Sequence, residues 1–105
     1  MDIQLKRGLL EICVLAAIAR KDSYGYQIIR EIEGYVEISE STLYPILRRL
    51  EAGQLLSVYS VEHNGRLRKC YRITEKGRAR ITEFEADWQE MMKIYHFVMN
   101  KGEQA

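Results

Sequence analysis

The spacing of apolar residues changes along the chain, and each change predicts a different element of secondary structure. Residues 5–20 are apolar on most sides of a helical projection, which predicts a first helix that is largely buried. A second helix is predicted over about residues 24–33, with an inner face of isoleucines and either Asp22 or Ser23 as its N-cap. Gly34 is expected to end this second helix.

A third helix is predicted to begin after its N-cap, Ser39, and to end at Gly53. Its apolar stripe has helical spacing and consists of Leu43, Ile46, Leu47 and Leu50. Pro45, the only proline of the chain, lies inside this helix. A proline in a helix interior costs about 3 kcal/mol because it removes a hydrogen bond and crowds the previous turn. Since Pro45 lies in the early turns, we expect the helix to continue through it.

Residues 54–62 and 66–74 have a period of two, and the dipeptide Asn64-Gly65 lies between these segments. Asn-Gly is the strongest short signal for a β-hairpin, because both turn positions need a positive φ. A two-residue turn fixes the register. The face expected to point outward pairs His63 with Arg66, Val61 with Arg68, Tyr59 with Cys70 and Ser57 with Arg72. The face expected to pack on the helices pairs Leu56 with Ile73 and Val58 with Tyr71.

A long last helix is predicted after Thr74, its expected N-cap, with Glu75 in the first turn. Apolar residues recur in it at alternating spacings of three and four, which is a heptad pattern. They form the apolar seam of the helix: Ile81, Phe84, Trp88, Met91, Tyr95 and Val98. A monomer would expose this seam, which soluble proteins rarely tolerate. The seam therefore predicts a two-fold homodimer with these residues at its interface.

The composition is that of one ordinary globular domain, with 105 residues, 47% of them apolar and 30% charged. The longest apolar run, residues 9–19, is interrupted by Glu11 and is shorter than the ~20 residues of a membrane span. No signal peptide is recognised, and Cys13 and Cys70 are isolated, which is typical of reduced thiols. We therefore expect a cytoplasmic protein that does not bind membranes.

The net charge of +1 does not by itself indicate a nucleic-acid partner, but the basic residues are unevenly distributed. Only Glu75 opposes a basic block made of Arg66, Arg68, Lys69, Arg72, Lys76, Arg78 and Arg80. Such a block on a nearly neutral chain indicates a positioned basic patch. On charge alone, a solvated face without a binding role remains the simpler interpretation.

The order of elements, three helices, a hairpin with a basic tip and a long helix, predicts a winged helix-turn-helix. The fold class is therefore mainly α with a small β-hairpin. We expect a DNA-binding domain over residues 1–74, a C-terminal dimerisation helix over 75–100 and a disordered tail over 101–105. The third helix is the expected recognition helix, and double-stranded DNA is the expected partner. The candidate DNA-binding residues are Ser39, Ser41, Thr42, Tyr44, Pro45, Arg48, Arg49, His63, Asn64, Arg66, Arg68 and Lys69.

Three stretches of the sequence resemble the PadR family of winged-helix transcriptional regulators: YGYQIIREI (24–32), ISESTLYPILRRLEAGQL (38–55) and RKCYRITEKGRARI (68–81). The single short C-terminal helix is similar to the compact branch of that family. The resemblance implies a homodimer that binds a palindromic operator and usually represses transcription. The chain departs from the family pattern at Cys70, where an aromatic residue is common. It also departs in its wing, the predicted β-hairpin, which is short and is expected to reach less far into the minor groove.

Trp88 is the only tryptophan and lies in the middle of the apolar seam. In the compact branch, a tryptophan at the matching position lines a cavity at the dimer interface that takes up flat, apolar compounds. The resemblance therefore implies a small aromatic effector bound near Trp88, Met91 and Met92. Ordinary packing of Trp88 in the dimer core is the alternative interpretation.

The sequence offers no candidate catalytic residues and no candidate metal ligands. Neither His63 nor His96 has a nucleophile or carboxylate that the predicted topology brings close, and no Cys or His pair has ligand spacing. No glycine-rich phosphate loop is present, and no cofactor is expected. Two other functions remain open: a winged helix that binds a protein instead of DNA, and a coiled-coil scaffold. Steep salt dependence of duplex binding distinguishes a DNA-binding protein from both.

Overall fold

The computed structural model describes residues 1–100 and contains the elements in the predicted order. They are α1 (Ile3–Arg20), α2 (Gly25–Ile32), α3 (Glu40–Ala52), β1 (Leu56–His63), β2 (Arg66–Ile73) and α4 (Glu75–Val98). The expected disordered tail at 101–105 lies outside the described residues. The predicted fold class, mainly α with one antiparallel hairpin, is confirmed.

The core lies between α1, α2, α3 and one face of the hairpin. Its largest fully buried side chains are Val14, Leu15, Ile18, Ile28, Leu43, Ile46 and Leu47. Burying a side chain of this size contributes about 1.5–3 kcal/mol relative to leaving it in water. The core therefore fixes α3 against α1 and α2 through its predicted apolar stripe.

The N-terminus of α3 is capped as the sequence predicts. The Ser39 hydroxyl accepts a hydrogen bond from the backbone N–H of Thr42 at 3.3 Å, and Glu40 lies in the first turn. Pro45 lies inside α3, and the helix continues through it to Ala52. The surrounding buried leucine and isoleucine residues thus hold the helix together across the missing N–H.

The hairpin has the predicted register at every pair, from Leu56 opposite Ile73 to His63 opposite Arg66. Asn64 and Gly65 both have positive φ, 53° and 78°, as the two-residue turn requires. The face predicted to pack on the helices does so, and its buried residues are Leu56, Tyr71 and Ile73.

The predicted N-cap of α2 is wrong. Tyr24 occupies the N-cap position, and no side chain caps the helix. Ser23 instead pairs with Tyr71 as an isolated β-bridge, with N–H···O distances of 3.1 and 2.8 Å. Asp22 accepts hydrogen bonds from the Tyr59 hydroxyl at 2.7 Å and from Arg72 Nε at 3.0 Å. Strand β2 thus draws both candidate caps away from the helix.

Smaller differences concern helix ends. Helix α1 begins at Ile3, earlier than predicted, because the Asp2 carboxylate accepts from the Gln4 N–H at 3.1 Å. Helix α2 ends at Ile32, and Gly34 does not adopt the positive φ of a helix-ending glycine.

Helix α4 begins as predicted and then packs along α1, with a smaller contact to β2. The Thr74 hydroxyl accepts from the Gly77 N–H at 3.0 Å and donates to the Gln54 carbonyl at 2.8 Å. Gly77 is the only residue of α4 that is buried within the chain. The described residues extend 62 Å along their longest axis. None of the helices they form is long and apolar enough to cross a membrane.

Candidate nucleic-acid interface

Helix α3 presents an exposed stripe opposite its buried one. Ser41, Tyr44 and Arg48 follow each other at spacings of three and four, so they share one face of the helix, and all three are exposed. Arg48 forms no ion pair with any described residue. This face therefore offers hydroxyl groups and a free guanidinium to an external partner.

The neighbouring face of α3 borders a cleft of about 630 Å³ between α3 and the start of α1. Thr42, Pro45 and Arg49 lie on the α3 side of this cleft, and Lys6 and Arg7 lie on the α1 side. Unlike Arg48, Arg49 has a partner within the chain, since its guanidinium lies 3.5 Å from the Glu11 carboxylate. Arg48 and Arg49, both candidate DNA-binding residues from the sequence, therefore differ, because only Arg49 has a carboxylate partner within the chain.

The hydroxyl groups at the start of α3 form a small network. Ser39 Oγ lies 3.0 Å from Ser41 Oγ and donates to Thr42 Oγ1 at 3.2 Å, in addition to its capping bond. Ser39 thus has a structural role in the cap, whereas Ser41 and Thr42 lie exposed beside it.

The β1–β2 hairpin is the wing of the fold. Its tip is exposed as predicted at His63, Asn64 and Arg66. Leu67 is also 78% exposed, which the sequence reasoning did not consider. Lys69 is exposed as well, but Arg68 is partly buried because its guanidinium stacks 4.0 Å from the centre of the Tyr24 ring. Arg68 is therefore held at the side of the wing that faces α2.

Nearer the base of the wing, the face predicted to point outward is partly covered. Tyr59 and Cys70 are half-buried. Arg72 stacks over the Tyr59 ring at 4.7 Å and shares the Asp22 carboxylate with the Tyr59 hydroxyl. These two donors, the tyrosine hydroxyl first, hold the pKa of Asp22 below its usual value despite partial burial. The Asp22 cluster thus ties the α1–α2 turn to both strands.

A second cleft, of about 520 Å³, separates the wing from the helices. It is called the tyrosine cleft, and its lining includes Tyr24, Tyr26, Tyr44, Tyr71, Arg68 and Lys69. Gly25 also lines it and allows a close approach, because a Cβ at this position would collide with the Tyr44 hydroxyl. Burial raises the pKa of Tyr71 above its ordinary value.

Tyr24, Gly25 and Tyr26 line the tyrosine cleft but are not among the candidate residues named from the sequence. The signal available for them is the Tyr-Gly-Tyr triplet at the very start of a helix. A glycine there weakens the helix and so indicates a close approach by another group.

The seam residues predicted for the dimer interface lie along α4 and are incompletely covered. Trp88 is 46% exposed, Tyr95 47% and Val98 67%. Met91 and Met92, named with Trp88 as candidate effector-binding residues, are partly buried, and none of these three lines either cleft described above. Within residues 1–100, no cluster of three or more His, Cys, Asp or Glu side chains is arranged to hold a metal.

Comparison with known proteins places this geometry in a family. Residues 14–83, which are 70 of the 105 residues, match the transcriptional regulator PadR-like family. The transcriptional regulator Rv3488 of Mycobacterium tuberculosis is 34% identical over 92 residues, covering 86% of this chain and 85% of that protein.

Solved structures agree with this assignment. A PadR-like transcription factor from Bacteroides fragilis has 35% identity and a TM-score of 0.79, with 90% of this chain and 94% of that chain covered. A PadR family transcriptional regulator from Eggerthella lenta has 32% identity and a TM-score of 0.82, with 92% and 87% covered. The match over two-thirds of the sequence and the shared fold lead to one conclusion: this chain belongs to the PadR-like family of transcriptional regulators.

Proposed function

We propose that the protein is a homodimeric repressor that binds a palindromic operator with α3 in the major groove and the wing beside it. The observation that carries this proposal is the exposed stripe of Ser41, Tyr44 and Arg48 on a helix whose opposite face is fully buried. Such a helix is fixed in place by the core and still presents donors that can reach bases and phosphates.

The basic groups around α3 support DNA as the partner. Arg48 has no carboxylate partner among the described residues, and the exposed wing carries Arg66 and Lys69 close in sequence to Arg68. A cation without a carboxylate partner is free to replace the counterions of a DNA phosphate. The sequence-specific part of the interaction is assigned to Ser41 and Thr42 at the front of α3.

The apolar seam of α4 supports the dimer. Trp88, Tyr95 and Val98 expose large apolar surfaces along one side of a long helix. A second copy related by a two-fold axis would cover both seams at once. Two copies of α3 would then face two half-sites, about one helical turn or 10–10.5 base pairs apart, which gives a palindromic operator.

Duplex binding as a function of salt tests the DNA proposal, with Arg48→Ala and Arg49→Ala as a matched pair. Each phosphate contact contributes about −0.9 to the slope of log K against log salt. We expect Arg48→Ala to flatten the slope by about one unit. Arg49→Ala should change it less, because Arg49 already pairs with Glu11. Ser41→Ala should instead alter the preferred sequence.

Two outcomes contradict the proposal. If the parent protein binds no duplex even at low salt, a winged helix that binds another protein becomes the better explanation. If it binds but neither arginine variant changes the slope, α3 is not the surface that contacts DNA.

A small aromatic effector is proposed to bind where the two copies of Trp88 meet, and to change operator affinity. Titration of the Trp88 fluorescence with flat cationic dyes tests this. Saturable quenching in the parent, lost in a Trp88→Ala variant that remains dimeric, supports the effector site. Absence of quenching across a broad panel of dyes assigns Trp88 to packing in the dimer core.

A further inference from the structure

The lining of the tyrosine cleft favours an anionic ligand, and the proposed function assigns no ligand to this cleft. Its lining contains two cations and four tyrosines but no carboxylate. The Tyr44 hydroxyl, held over Gly25, forms no hydrogen bond with any described residue. A cleft of this kind attracts an anion and offers it neutral donors.

Tyr71 adds a donor that the core holds in place. The residue is only 4% exposed and lines the cleft. Its hydroxyl forms no hydrogen bond within residues 1–100 and is accessible to solvent in the cleft. The neutral phenol can therefore donate to a negatively charged oxygen that enters the cleft.

Arg68 is the strongest cation in the cleft, and Tyr24 determines where it lies. The guanidinium carbon is 4.0 Å from the centre of the Tyr24 ring, which is a close cation–π contact. Stacking leaves the N–H groups at the edge of the guanidinium free, and these groups suit the oxygens of a phosphate. Without the ring, the long side chain would sample many rotamers.

We propose that the tyrosine cleft binds one phosphate of the DNA backbone in each half-site, and that Tyr24 is the positioning residue for Arg68. Arg68, Lys69 and the hydroxyls of Tyr44 and Tyr71 supply the donors. This inference rests on the proposed function, because it assumes that α3 and the wing meet DNA together. It adds a contact at the start of α2, between the recognition helix and the wing.

A double-mutant cycle on the full-length protein tests the positioning role. We expect Arg68→Ala to weaken duplex binding by about tenfold at moderate salt and to flatten the salt slope by about one unit. Tyr24→Leu should weaken binding several-fold and also reduce the slope, whereas Tyr24→Phe, which keeps the ring, should bind like the parent. The double variant Tyr24→Leu/Arg68→Ala should bind no more weakly than Arg68→Ala alone.

Matched controls separate this effect from a loss of folding. Tyr35→Leu removes a tyrosine that is 86% exposed in the connection between α2 and α3, and it should leave binding unchanged. Thermal unfolding of each variant checks the fold. If Tyr24→Leu does not fold, Tyr24→Met takes its place in the cycle, because the unbranched methionine side chain adapts to an irregular gap and has no aromatic face.

Duplexes with a neutral methylphosphonate at one backbone position identify the phosphate. One position in each half-site should weaken binding by the parent but have no effect on Arg68→Ala. If no such position exists, or if the Tyr24 and Arg68 effects simply add, the inference is wrong even where the parent binds the duplex. If the parent binds no duplex, the proposed function fails as well. Nuclear magnetic resonance spectra give a further check. If inorganic phosphate shifts the backbone amide signals of the cleft residues but a duplex does not, DNA is not the ligand of the cleft.

Discussion

Helices α3 and α4 carry apolar stripes of the same kind, but only the stripe of α3 is fully covered within the chain. Leu43, Ile46, Leu47 and Leu50 of α3 are at most 2% exposed. On α4, Trp88, Tyr95 and Val98 are 46%, 47% and 67% exposed. Helical periodicity identifies an apolar face equally well in both helices. It does not tell whether the cover comes from the same chain or from another one.

The difference divides the molecule into two kinds of stability. The stability of α3 is a property of the single chain, since α1, α2 and the hairpin surround it. Helix α4 packs on α1 and β2 within the chain, but its exposed seam residues Trp88, Tyr95 and Val98 would be covered only in the proposed dimer. Changes in the two helices should therefore respond differently to protein concentration.

The largest effect is expected from Leu43→Ala, because Leu43 is fully buried in the core. Truncating a buried leucine typically lowers the free energy of unfolding by about 2–5 kcal/mol. Denaturant titrations at several protein concentrations should show this loss at every concentration. A loss that vanishes on dilution would mean that α3, too, is stabilised by a second copy.

Gly77→Ala should have the next largest effect, since Gly77 lies where α4 meets the rest of the fold. A Cβ at this position would collide with the Leu55 carbonyl and lie 2.7 Å from Ile73 Cγ1. We expect destabilisation of about 1–3 kcal/mol from overpacking, although alanine is the better helix former.

Gly8→Ala in α1 is the matched control, because nothing lies within 4 Å of a Cβ there. This variant should stabilise the protein by up to about 1 kcal/mol through helix propensity alone. Thermal unfolding of both variants measures the contrast. A stabilising Gly77→Ala would show that α4 can shift away from the hairpin at little cost.

A smaller effect on the single chain, but a clear effect on assembly, is expected from Trp88→Ala. The substitution should raise the dissociation constant of the dimer by at least about tenfold, equivalent to about 1.4 kcal/mol. Sedimentation at a series of concentrations measures it, with the far-ultraviolet spectrum as the control for folding. If the parent protein is monomeric at micromolar concentration, no second copy covers the seam of α4, and the contrast drawn between α3 and α4 is wrong.

The smallest effect is expected from Asp22→Asn, which weakens the attachment of the wing to the α1–α2 turn. Because hydrogen bonds from Tyr59 and Arg72 lower the pKa of Asp22, its contribution is complete above the ordinary carboxyl pKa of about 3.9. That contribution is lost as the pH falls through the lowered pKa of the folded state.

The side chain of Asp22 is 36% exposed, so the difference between parent and variant should be small at neutral pH. This difference in the free energy of unfolding should become smaller only at acid pH. Tyr59→Phe removes the principal cause of the pKa shift and should give a similar pH profile. A difference that grows towards acid pH would contradict the assignment.

Local signals made much of the fold predictable. Ser39 fixes the start of α3, and Asn64 with Gly65 fixes the hairpin register, because each signal acts over a few residues. Asp22 and Ser23 failed as predicted caps because their partners lie far away in sequence. Tyr59 and Arg72 are 37 and 50 residues from Asp22.

In the candidate site, too, contacts between residues that are distant in sequence could not be predicted. The exposed stripe on α3 follows from periodicity, since residues opposite a buried stripe must face outward. The difference between Arg48 and Arg49 does not follow from it, because it depends on Glu11 of another helix. The stacking of Arg68 on Tyr24 likewise joins two elements that only the tertiary structure brings together.

Pro45 has a consequence for the backbone at the front of α3. A proline has no N–H, so the carbonyl of Ser41, one turn earlier, receives no hydrogen bond from residue 45 although the helix is unbroken. Ser41 is an exposed residue, so an outside donor can approach this part of the helix. Water can fill that role in the free protein, and the amino group of an adenine or cytosine can fill it in the major groove. The helix thus gives up part of its own hydrogen bonding and keeps a main-chain acceptor that no substitution at residue 41 removes.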